Sequence, residues 1–233
     1  MSLRVGHLQS GVSAESGSTE RKGDKRPALW NRLFSMKDHE SIIRVQMPTV
    51  AKRKETASYL NGLHHDIRLL EGHLQKHRLH FDTLPLLFRE EAIRQDLQAI
   101  RTEEEMADLV KIYDHEGHFN SIAGKPHLLL AHLSVHYLGF LSGGQALAPK
   151  YSKNFGEDTV HLYDYKDQNP HGLMNRFLVE VEGYLQGLPP EENQAFQEEV
   201  RLGWIFICDL FGANIRKAKS CCSCIQRIWK KVF

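Results

Sequence analysis

His132 and His136 stand one helical turn apart in the most apolar part of the chain, Ala131–Gln145. At i, i+4 they can aim two imidazoles at one metal ion. No acid accompanies them on that stretch, so the expectation is that each donates to a carbonyl or carboxylate inside a bundle. A di-iron centre would need Glu-x-x-His pairs on facing helices, and the sequence contains none. The run Asp114-His115-Glu116-Gly117-His118 is dense in ligand types, but its glycine and polarity predict an exposed turn. Most of the other histidines lie in polar segments without a shared ligand spacing. Cys208 falls on an apolar helical face, where a thiol packs as a small hydrophobe. Cys221, Cys222 and Cys224 differ: they crowd among Arg216, Lys217, Lys219, Arg227, Lys230 and Lys231, with no acid after Asp209. Thiols beside cations and bulky apolar groups fit S-acylation with a polybasic patch on an anionic membrane surface; an ordinary basic tail is the other reading.

The same stretch carries Gly139, Gly143 and Gly144 inside a helical pattern. Glycine costs a helix interior about 1 kcal/mol against alanine, so three so close predict a bend or a close approach. Tight packing of neighbouring helices is the first expectation there, and a slot for a flat ligand the second. Around it the periodicity is helical. Leu60, Leu63, Ile67, Leu70 and Leu74 define one buried face, and similar stripes run over Leu87–Ile100, Met106–Tyr113, Leu128–Leu141, Leu173–Leu185 and Phe196–Ile215. Breaks are predicted at Pro48, Pro85, the Gly117–Pro126 region, Pro149–Pro170 and Gly187–Pro190, and a helix start at Asn193 or the Pro-Pro-Glu-Glu run. No strands alternate and no segment repeats. An all-α, single-domain bundle of about seven or eight helices is the expected architecture. Residues 1–26 read as a disordered or loosely attached arm, 27–217 as the helical domain and 218–233 as the basic, Cys-containing tail. A net charge of +1 gives no field to recruit nucleic acid. The clustered thiols suit a reducing compartment, so a cytoplasmic setting, with peripheral membrane contact through the tail, is expected.

Tyr137-Leu138-Gly139-Phe140-Leu141-Ser142-Gly143-Gly144-Gln145 resembles the distal helix of haem oxygenases, Tyr-Leu-Gly-Asp-Leu-Ser-Gly-Gly-Gln, with phenylalanine at the aspartate. Leu87–Leu97, with its Gln95-Asp96-Leu97, and Leu60–Glu71 resemble two further segments of that family. The resemblance spans roughly Leu29–Ile215 and is weak after Lys150. It implies a haem-oxygenase-like fold and a ligand pocket bordered by Phe34, Asp38, His136, Gly139, Phe140, Gly143 and Gly144. In the family a first-helix histidine ligates haem iron, and the distal aspartate holds the water that protonates bound dioxygen. Those positions fall here at Phe34 and Phe140, neither of which can do the work. His39 would be a displaced axial ligand, but it sits about 140° around the helix from Phe34. Arg32 and Arg176 are the cations nearest the family's propionate clamps, without falling on them. The resulting expectation is a protein that has lost haem degradation, carries no cofactor and acts by binding an unidentified protein partner. The alternative is an active haem oxygenase, yielding biliverdin, carbon monoxide and iron through a displaced histidine. A carrier of another planar molecule is a third reading.

Overall fold

Leu60, Leu63, Ile67 and Leu70 are each fully buried, which makes the predicted stripe the inner face of helix α1 (Arg53–Leu74). The computed structural model describes Leu29 and residues 52–100, 115–166 and 168–210. After α1 come α2 (Leu84–Leu87), α3 (Glu90–Ile100), α4 (His115–Ser121), α5 (Pro126–Leu141) and α6 (Gly143–Phe155). Two short 3-10 turns, Glu157–Thr159 and His161–Tyr163, lead to α7 (Pro170–Gln186) and α8 (Pro190–Leu210). Among the described residues there are eight α-helices and no strand, the all-α bundle expected.

Helix α5 is the axis. It is apolar nearly all round, and its residues from His127 to Leu138 are all buried, as a helix without a polar face must be. Its most extensive contact is with α8, and α1, α6 and α7 pack around its remaining faces; α3 lies on α1 and against the two 3-10 turns. Asp96 pins those turns: its carboxylate accepts from the backbone N–H of His161 (2.8 Å) and Leu162 (2.9 Å) and from Nδ1 of His161 (2.8 Å). Asn169 caps α7 by accepting from the N–H groups of His171 and Gly172, with Pro170 as the first helical residue. Helix α8 starts at Pro190 rather than at Asn193, with Glu191 and Glu192 in its first turn.

Three expectations need correction. Pro149 does not end a helix; it lies inside α6 on its exposed side. Water can satisfy the carbonyl that proline leaves without a donor, while buried Leu147 and Tyr151 hold the helix on either side. Gly117 lies inside α4, and the Asp114–His118 run is no exposed turn over its described part. His115 is 4% exposed, bonded through Nδ1 to Asp66 (2.7 Å) and stacked on Phe206 at 3.9 Å. Buried His115 and Phe119, one turn apart, dock the helix, and the turn falls after it, at Ile122–Gly124. The last correction concerns the glycines, and it divides them. At Gly144 the close approach is real: a Cβ there would come within 2.5 Å of the Tyr163 ring, itself buried edge-on against Tyr151. At Gly139 it is not, since a Cβ would meet nothing within 4 Å among the described residues.

Candidate functional site

The bend predicted by the glycines is the junction between α5 and α6 at Ser142 (φ −109°, ψ −82°). Side chains of the motif itself close the end of α5. Ser142 donates from both N–H and Oγ to the carbonyl of Leu138, and Gln145 Nε2 donates to the carbonyls of Phe140 (3.2 Å) and Tyr163 (3.1 Å). Carbonyls that a helix end leaves without partners are thereby satisfied. Ser142 and Gln145 thus have structural work within the motif.

Tyr137, on the inner side of α5, donates its hydroxyl to Glu71 of α1 (2.9 Å) and packs edge-on against Phe177 of α7. None of the described residues crowds the side of the helix at Gly139. Phe140 is 5% exposed, with its ring 6.1 Å from that of His136 and 6.5 Å from that of Tyr137. His136 is buried, and Nε2 has no hydrogen-bond partner among the described residues. Burial pushes its pKa down to about 3, helped by His132 and His115, so the ring is neutral at ordinary pH. Neither an apolar ring nor a neutral imidazole can supply the ionised oxygen that a carboxylate would provide. Phe140 and His136 thus put an apolar ring and a neutral imidazole on this part of α5.

His132 and His136 do not converge. His132 of α5, fully buried, turns Nε2 onto Oε1 of Glu199 in α8 at 2.5 Å. His118 of α4 brings its own Nε2 to the same oxygen, also at 2.5 Å. Donation to a carboxylate inside the bundle is thus met by His132 and not by His136. Sequence reasoning missed both Glu199 and His118 as members of a cluster: they stand on different helices from His132, and only the packing of α4, α5 and α8 joins them. Arg176 is exposed and bonds to Gln168 (3.0 Å). Phe34, Asp38, His39 and Arg32, with Cys221, Cys222, Cys224 and the other tail residues, lie outside the described residues, as does the side chain of Cys208.

Solved structures resemble this architecture. Haem oxygenase from Leptospira interrogans superposes with a TM-score of 0.66 at 21% identity, over 79% of this chain and 97% of that one. Haem oxygenase 2 from Chlamydomonas reinhardtii, solved without haem, gives 0.69 at 22% identity, over 80% and 97%. Haem oxygenase-1 from the cyanobacterium Synechocystis, in complex with haem, gives 0.67 at 17% identity, over 88% and 97%. No curated protein sequence matches closely enough to count as a relative. At such identities the superpositions establish the fold, all-helical with the haem-oxygenase arrangement. A family model described as "Heme oxygenase" matches residues 34–204, which is most of the chain and includes α1 through the greater part of α8. With that match, and the glycine-marked junction of α5 and α6 inside it, the chain belongs to the haem oxygenase family.

Proposed function

We propose that this member of the haem oxygenase family does not degrade haem and acts by binding a protein partner. The observation that carries the reading is Phe140, buried beside Gly139 where the resemblance places the aspartate. Haem degradation needs a proton delivered to iron-bound dioxygen, which a positioned acid or an ordered water beside it provides. A benzyl side chain does neither, and it fills the room that such a water would use. What remains is the scaffold: an apolar central helix, a capped junction and a clear flank at Gly139. The flank at Gly139, clear among the described residues, and the family match favour the second reading, an active haem oxygenase, and the flank alone favours the third, a carrier of another planar molecule.

Hemin added to the purified full-length chain distinguishes the first two. The expected result is no Soret band of a histidine-ligated complex, or loose uptake that reductant does not convert to biliverdin. A tight one-to-one complex that turns over with a reductase would overturn the proposal.

Among the described residues no helix is long and apolar enough to cross a membrane. The basic tail is therefore the proposed route to a bilayer surface, with Cys221, Cys222 and Cys224 as acylation sites, since one lipid chain with a polybasic patch gives stable attachment. Changing all three to serine is expected to move the protein out of the membrane fraction. Unchanged fractionation would leave the tail as a plain basic extension.

A further inference from the structure

Glu199, His118 and His132 come from three helices, and one glycine explains how closely two of them meet. A Cβ on Gly203, one turn beyond Glu199 in α8, would lie 3.3 Å from both Nδ1 of His132 and a methyl of Val135 in α5. Glycine at that position lets α8 lie against α5 at backbone distance and carries the Glu199 carboxylate onto His132. The contact also seals Nδ1 of His132, so Nε2 is the atom that this ring offers. Aromatic edges close the interior side: Phe119 stands 5.1 Å from the His132 ring, and Phe206 stands 5.2 Å from His132 and 5.3 Å from His118. The His118 side chain, 27% exposed, is the open side, against 0% for His132 and 8% for Glu199.

We propose that His118, His132 and Glu199 form a binding site for a divalent first-row transition metal ion, of the Zn2+ or Fe2+ kind. One donor atom from each lies within 4.8 Å of the other two. Two imidazole nitrogens and one carboxylate oxygen make a three-ligand set that zinc and ferrous iron accept, with positions left for water or a further ligand. One protein oxygen is too few for calcium, which takes six to eight oxygens, and the absence of a thiolate among the three disfavours copper(I). For bonds of about 2.0–2.1 Å in tetrahedral geometry, the Glu199 oxygen must draw back from each nitrogen by roughly 0.8 Å. Each ring then holds its proton on Nδ1. The partly exposed His118 side gives the ion its way in.

The test uses the full-length chain after dialysis against a chelator, with Co2+ as a coloured stand-in for Zn2+. One equivalent of Co2+ is expected to bind with the d–d absorption of a four- or five-coordinate nitrogen and oxygen site, and Zn2+ should displace it. His118→Ala, a change at the half-open edge of the cluster, is expected to weaken binding by at least about tenfold while circular dichroism stays that of the parent. Glu199→Gln should weaken it likewise. His80→Ala, at an exposed histidine in the turn region after α1, should leave the titration unchanged. Zn2+ should also raise the unfolding temperature of the parent and not that of the His118 variant, so the readout does not depend on colour alone. Failure of the parent to take up Co2+ would overturn the proposal. So would binding as tight in His118→Ala as in the parent, because the ion would then sit on other histidines.

Discussion

His136→Leu is expected to stabilise the protein at pH 5, relative to pH 7.5, by about 2 kcal/mol more than any change it makes at the higher pH. The native ring is buried, its pKa is held at about 3 by burial first and by His132 and His115 second, and its ordinary value is 6.5. Above pH 6.5 neither the folded nor the unfolded chain protonates this ring, and its contribution does not vary. Below 6.5 the unfolded chain takes up a proton that the folded one refuses. Stability is therefore lost as pH falls from 6.5 towards 3, by roughly 1.4 kcal/mol per unit. Leucine, apolar and of similar bulk, has no proton to gain. Urea unfolding of parent and variant at pH 7.5 and pH 5 measures the difference directly. A gap between the two proteins that stays constant with pH would mean that the ring titrates as if exposed.

The helices that carry most of the core were legible because their apolar residues recur at three and four: the face predicted from Leu60 to Leu74 is the buried face of α1. The glycine run also gave away its place, since only glycine admits the Tyr163 ring at Gly144. What it concealed was which glycine is crowded and which is clear, because that depends on residues distant in sequence. Pro149 misled because a proline's cost depends on whether the carbonyl it strands meets water. His115 and His118 misled in the opposite sense. Their polarity suggested solvent, yet Asp66 and Glu199, from other helices, bond them and bring them into the bundle. A carboxylate 81 residues from its histidine leaves no spacing to read. Glu71 was legible only as part of a resemblance; nothing in Leu70-Glu71 announces that it closes the start of another helix.

That carboxylate carries the second large effect. Glu71 accepts from the backbone N–H of Arg89 (2.7 Å) and of Glu90 (3.2 Å), at the open N-terminus of α3, and from the Tyr137 hydroxyl (2.9 Å). The three bonds favour the ionised form, but burial acts more strongly and raises the pKa from 4.5 to about 7. The sign is opposite to that of His136. With the folded value raised, the contribution is fully present below pH 4.5, where both states are protonated. It is lost as pH rises through 7, because the unfolded chain gives up its proton first. The loss amounts to roughly 3 kcal/mol. Glu71→Gln keeps one acceptor oxygen and cannot ionise, so it should start less stable at pH 4.5, by about 1–3 kcal/mol for the donor it leaves unmet. It should then regain roughly 3 kcal/mol on the parent by pH 7.5. The two slopes oppose each other between pH 4.5 and 6.5: Glu71 weakens the fold as pH rises, and His136 weakens it as pH falls. Each single variant removes one slope and exposes the other, so His136→Leu should lose stability across that interval as pH rises, relative to the parent, and Glu71→Gln should gain it. Parallel pH profiles for both variants and the parent would show that neither buried group changes its protonation on folding.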